Sequence, residues 1–130
     1  MMDKAMKIFS SVGKAVIVDN EDLMDVVTAV SGSGPAYFFL LMEEMIRAAY
    51  EMGLPPEIAK ILVLQTAKGA ALLATERDKF SESPSELRRK VTSPGGTTEA
   101  ALRVFSAKNF SQLITDALNA ARERSKDLSS

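Results

Sequence analysis

The residues best able to do chemistry lie in one run, Leu87-Arg88-Arg89-Lys90-Val91-Thr92-Ser93-Pro94-Gly95-Gly96-Thr97-Thr98-Glu99-Ala100-Ala101. A basic, apolar-spaced segment enters Ser-Pro-Gly-Gly-Thr-Thr, and an Ala-rich helical pattern follows at once. This is a tight turn opening directly into a helix N-terminus. Glycines let the backbone come close to a ligand. The free N–H groups of a first helical turn, with the helix dipole behind them, suit an anion. The Thr97 and Thr98 hydroxyls can donate or accept hydrogen bonds beside it. A carboxylate or a phosphate is the natural guest. The same residues also make a sound turn with no guest at all: Ser-Pro-Gly-Gly suits a turn, Thr97 or Thr98 suits an N-cap, and Glu99 suits a first turn.

Other chemistries are excluded by what is missing. The sequence has no Cys and no His, which removes disulfides, thiol nucleophiles, Ser-His-Asp triads and the commonest zinc sites. The acids are scattered without EF-hand spacing, so no metal site is expected. Gly32-Ser33-Gly34 is the only Gly-x-Gly, but it follows a helical pattern rather than a strand, and Tyr37 stands where a dinucleotide fingerprint needs its third glycine. No P-loop is present. With a net charge of −1 and no Trp, the chain offers neither a basic footprint nor a stacking platform, so no nucleic-acid partner is expected.

At 130 residues, 46% apolar and 25% charged, the chain is the size and composition of one globular domain. The N-terminus lacks the pattern of a signal peptide. The longest apolar run, residues 35–42, is too short for a bilayer. No membrane partner is expected, and a cytoplasmic location is the simplest reading.

The helical period dominates the elements that must position these residues. Residues 2–11 read as a short amphipathic helix stopped by Gly13. Ala15-Val16-Ile17-Val18 reads as a strand, the only one. Asp19 or Asn20 caps a helix over 21–30, which Ser31-Gly32-Ser33-Gly34 breaks, with Ser33 as the next N-cap and Pro35 near the first helical position. Helices follow over 35–52, ended by Gly53, and over 56–76. Residues 75–85 read as a polar loop. A short helix over 84–91 is capped by Ser83 or Ser85, and helices over 96–107 and 111–127 lead to a Ser-rich tail. No repeat or low-complexity segment is present.

Two features of this map ask for more than the chain supplies. The helices over 35–52 and 56–76 are apolar on more than one face, which calls for burial in the centre of a bundle or against a second copy. A lone strand cannot satisfy its own edges.

The run Arg88-Arg89-Lys90-Val91-Thr92-Ser93-Pro94-Gly95-Gly96-Thr97-Thr98 resembles the signature of the pyrroline-5-carboxylate reductases. A second block, Ala29-Val30-Ser31-Gly32-Ser33-Gly34-Pro35-Ala36-Tyr37, followed by an apolar helix and Met52-Gly53-Leu54-Pro55, matches the same family in order and separation. The resemblance covers nearly the whole chain and lies in the family's C-terminal domain. It implies a mainly α fold, a helical bundle forming an interleaved, domain-swapped homodimer or larger homo-oligomer. One short N-terminal strand would be left over from an α/β nucleotide-binding domain. Residues 1–19 would be the remnant of that dinucleotide-binding domain, helix plus strand, and residues 20–130 the dimerisation and substrate-binding domain.

The resemblance further implies that the complete enzyme reduces 1-pyrroline-5-carboxylate to L-proline with NADPH or NADH, and that this chain alone, lacking the nucleotide domain, binds no cofactor and is inactive. Backbone N–H groups near Gly95, Gly96 and Thr97 would hold the carboxylate of this small imino acid, Ser93 would line the pocket, and the Thr98 hydroxyl would stand near the ring nitrogen as the catalytic group. Ser31, Gly32 and Ser33 would sit near the nicotinamide. Arg88, Arg89 and Lys90 read as a solvated face rather than part of the site. Two alternatives stay open: a helical oligomerisation module without catalysis, or the same domain of a related NAD(P)-dependent imine or hydroxyacid reductase.

Overall fold

The computed structural model describes residues 7–11, 14–18, 20 and 23–129. Its elements are β1 (Lys7–Ser11), β2 (Lys14–Val18), α1 (Met24–Val27) running into a π-helical turn (Thr28–Gly32), α2 (Gly34–Glu51), α3 (Pro56–Asp78), α4 (Pro84–Lys90), α5 (Thr97–Ala107) and α6 (Phe110–Ser129). The fold is mainly α. It divides into two compact units, residues 1–38 with 111–130, and residues 39–110.

In the first unit, β1 and β2 pair antiparallel, with Lys7 opposite Val18 and Ser11 opposite Lys14. This corrects the helix expected over residues 2–11: Lys7–Ser11 is a strand, and residues 2–6 lie outside the described residues. The strand expected at 15–18 is present but not alone. Pairing satisfies the edge that β2 would otherwise leave open, and it overrides the weak helical spacing of so short a segment. Gly13, expected to stop that helix, lies outside the described residues. A second correction concerns the cap of α1. Leu23 is its N-cap and makes no side-chain capping bond, while Asp19 lies outside the described residues. The Asp25 carboxylate instead accepts a hydrogen bond from the Ser125 hydroxyl of α6 at 2.6 Å, joining the two ends of the unit's sequence. The helix does not break at Ser31; it widens into the π turn, and Tyr37 Oη donates to the Ala29 carbonyl at 2.7 Å.

In the second unit, α2 ends in a Schellman motif. Gly53 takes φ 107°, its N–H reaches the Tyr50 carbonyl, and the Leu54 N–H reaches that of Ala49. Pro56 opens α3 at a position where its missing N–H costs nothing. α3 runs to Asp78, beyond the expected end at residue 76, and so consumes part of the expected loop over 75–85. Thr75 Oγ1 bonds back to the Ala71 and Leu72 carbonyls, and Ser81, at φ 60°, closes the helix with a second pair of Schellman-type bonds.

Burial is sparse. Among the described residues the buried apolar side chains are Ala29, Ala59 and Val63. On α3, Ile58, Ile61, Leu62, Leu72 and Leu73 are exposed. At 100° per residue they fall within about a third of a turn, an apolar stripe interrupted by Gln65, with exposed Leu64 to one side. Two helical stretches, Met24–Glu51 and Pro56–Asp78, are long and apolar enough to cross a bilayer by length and composition, which short uninterrupted apolar runs do not reveal.

Candidate functional site

The Ser93–Thr98 turn is built from α4 onward. A capping box starts α4: Ser83 Oγ accepts the Glu86 N–H at 3.1 Å, and Glu86 Oε1 accepts the Ser83 N–H at 3.2 Å. Of the two serines considered from sequence, Ser83 is therefore the cap. Pro84 follows at the first helical position, and Arg88, Arg89 and Lys90 fill the last turn, where the dipole favours cations. Thr92 Oγ1 then donates to the Arg88 carbonyl, holding the chain as it leaves the helix.

Residues 93–96 form a β-turn closed by the Gly96 N–H on the Ser93 carbonyl at 3.0 Å. Pro94 supplies the fixed φ of its second position, and Gly95 the positive φ of its third, 73°. Gly96 meets a different constraint: a Cβ there would stand 3.2 Å from the Ser93 carbonyl oxygen. Gly96, not Thr97 or Thr98, is the N-cap of α5, and it makes no side-chain capping bond. The first-turn N–H groups of Thr97, Thr98 and Glu99 have no helical carbonyl below them. The Gly95 N–H does have a partner, Glu99 Oε1 at 3.1 Å, and the same oxygen accepts from Arg103 Nη2 at 3.1 Å. Ser93, Gly95 and Thr97 are exposed, while Gly96 and Thr98 are half-buried. Among the described residues the Thr98 hydroxyl has no hydrogen-bond partner.

All five residues expected to hold a carboxylate thus share one turn. Ser31, Gly32 and Ser33 lie in the other unit, at the end of the π turn and its junction with α2. Their backbone is helical, and the Ser33 N–H bonds to the Thr28 carbonyl at 2.9 Å. This is not a phosphate cradle.

One structural element beside the turn is not legible in sequence. Glu82, 8% exposed, accepts from Arg77 Nε at 2.6 Å and pairs with Lys90. Lys90 first and Arg77 second hold its carboxyl below the usual carboxylate range. Lys90 is therefore not part of a merely solvated face. It anchors the end of α4, two residues before Thr92 and the turn.

The arrangement can bind a small anion through backbone N–H groups and present a hydroxyl beside it. Residues 21–128 match the family model for pyrroline-5-carboxylate reductase dimerisation. The chain is 52% identical to a pyrroline-5-carboxylate reductase of Pseudomonas aeruginosa, over 97% of this chain and 45% of that protein. With the Synechocystis enzyme of the same name it shares 47% identity over 96% of this chain and 45% of that protein. The fold is similar to that of the Coxiella burnetii pyrroline-5-carboxylate reductase, with a TM-score of 0.81 and 47% identity, covering 87% of this chain and 41% of that one. It is also similar to the Plasmodium falciparum pyrroline carboxylate reductase solved with NADP bound, at a TM-score of 0.79 and 38% identity over 85% of this chain and 41% of that one. The chain thus spans somewhat less than half the length of these relatives.

Proposed function

The chain belongs to the pyrroline-5-carboxylate reductase dimerisation family, and from that premise we propose that it is the C-terminal domain of a two-domain reductase converting 1-pyrroline-5-carboxylate to L-proline with NADPH or NADH. Residues 1–19 are then the last part of the nucleotide-binding domain, and residues 20–130 the dimerisation and substrate-binding domain. The turn at Ser93 to Thr98, with Gly95 at φ 73° and first-turn N–H groups free of helical carbonyls, is the observation that carries the reading.

The substrate carboxylate sits in the turn near Gly95, Gly96 and Thr97, on the N–H groups of Gly95 and Thr97, with Ser93 beside it; the Gly96 N–H stays on the Ser93 carbonyl and closes the turn. Fixing the carboxylate orients the ring, which is the main service a protein gives a small, rigid substrate. The half-buried Thr98 hydroxyl stands near the ring nitrogen, where it accepts the iminium N–H or relays its proton. When bound, the nicotinamide supplies the hydride. Gly32, which is exposed, and the half-buried Ser31 and Ser33 fit a polar contact at the edge of that cofactor, not its phosphates.

The assembly is an interleaved homodimer. The exposed α3 stripe supports a second copy as the cover for these helices. By length and composition a bilayer would serve equally, but membership of a dimerisation family favours protein. The protein works in the cytoplasm, without nucleic acid or membrane. L-Proline titrated into the 130-residue chain tests the site, with the amides of Ser93 to Thr98 followed by NMR. Saturable shifts centred on Gly95 to Thr98 are expected; silence there removes the carboxylate site from this domain. In the two-domain enzyme, Thr98→Ala is expected to lower turnover with dimers intact.

A further inference from the structure

Glu99 is already seated on a donor that the proposed carboxylate site uses. One oxygen, Oε1, accepts both the Gly95 N–H and Arg103 Nη2, each at 3.1 Å. The Glu99 side chain is 32% exposed and that of Arg103 77%, so the group lies at the protein–water boundary, with Arg103 one turn along the same helix.

We propose that Glu99 is a specificity-determining residue that occupies the Gly95 amide until an incoming carboxylate displaces it; the inference rests on the substrate-site reading above. The Gly95 N–H has a single proton to donate, and two carboxylates do not share it. The arriving carboxylate therefore takes the amide, and Glu99 withdraws onto Arg103, which keeps its charge partnered throughout. The exchange swaps one carboxylate for another at the same donor. Its net cost is the like-charge repulsion between the ligand and the displaced Glu99. At contact distance in a solvent-facing site that repulsion corresponds to about fivefold in affinity. A second acidic group on the ligand adds the same penalty again. The site thus favours monocarboxylic cyclic imino and amino acids over dicarboxylic ones.

A purely structural role is the competing account. A Glu at the third helical position that reaches back to the preceding turn is half of a capping box. The two accounts predict opposite signs. If Glu99 only caps, its loss loosens the turn and weakens binding; if it competes, its loss strengthens binding.

The test is an L-proline titration of the 130-residue chain as wild type, Glu99→Gln and Arg103→Gln, following the Gly95 amide at low and high salt. Glu99→Gln is expected to bind about fivefold more tightly, with the gain shrinking as salt screens the repulsion. Arg103→Gln keeps the cap but removes the partner for a displaced Glu99, and it is expected to bind more weakly. Equal or weaker binding by a folded Glu99→Gln overturns the inference and leaves the carboxylate site standing. If Glu99→Gln does not fold, Arg103→Gln decides: unchanged affinity overturns the inference. No saturable shift in any of the three overturns both the inference and the site.

Discussion

Glu82 and Lys90 form an ion pair that spans α4 from just before its N-terminus to its last residue, and Arg77 at the end of α3 shares the same carboxylate. α4 is therefore held at both ends by neighbours in sequence, through the Ser83–Glu86 capping box at its start and Glu82 at its finish. The helix delivers the turn at Ser93 to Thr98 from that fixed frame.

This pair makes stability depend on pH with a definite sign. The folded carboxyl of Glu82 lies below its unfolded value, so the unfolded chain binds more protons between the two. The contribution is fully present above the ordinary carboxylate value of the unfolded chain and is lost as pH falls through the lower folded value. Glu82→Gln is expected to destabilise the chain at neutral pH. The gap from wild type should narrow as the solution is acidified, as read by urea unfolding at a series of pH values. A gap independent of pH would mean that the side chain acts only by packing.

Gly95→Ala places a Cβ on a residue at φ 73°. The left-handed conformation costs an L-residue about 1–2 kcal/mol. The variant is expected to lose stability of that order and to lose L-proline binding as the turn relaxes. Denaturant unfolding and the amide titration measure the two effects separately.

Ser81 offers the reverse case. It closes α3 at φ 60° with a side chain that makes no hydrogen bond among the described residues. Ser81→Gly relieves the strain and is expected to raise stability by about 0.5–1 kcal/mol, visible as a higher Tm. A lower Tm would show that the gain in unfolded-chain entropy outweighs the relieved strain.

The apolar stripe on α3 predicts the outcome of a charge placed on it. Ile61, 61% exposed, lies within the stripe. Ile61→Lys is expected to move the mass measured by light scattering from dimer toward monomer. An unchanged dimer would move the interface off this face.

What the sequence discloses here is local. Gly53 after an apolar helix, Ser83 three residues before Glu86, and Pro94-Gly95 in a turn each carry their own backbone geometry, and each appears where residue type alone puts it. The turn at Ser93 to Thr98 was legible for the same reason. The β1 strand was not, because five residues with helical spacing carry too little preference to resist a partner strand. Glu82 was not, because its meaning depends on Arg77 and Lys90, five and eight residues away across two helix ends. The Glu99 contact is legible only in part: a capping role can be read from its position, but its seat on the Gly95 amide cannot.

The π turn at Thr28–Gly32 has a consequence of phase. Five residues occupy a turn that ordinarily takes fewer, so the helix carries one residue beyond its regular count. Deleting any one of them would let the backbone close as ordinary α-helix, at little local cost. Everything on its N-terminal side would then rotate by about 100° relative to α2. Asp25 would swing away from Ser125. The segment is an indexing step in the helix: its length, more than its composition, sets the direction in which the preceding side chains point.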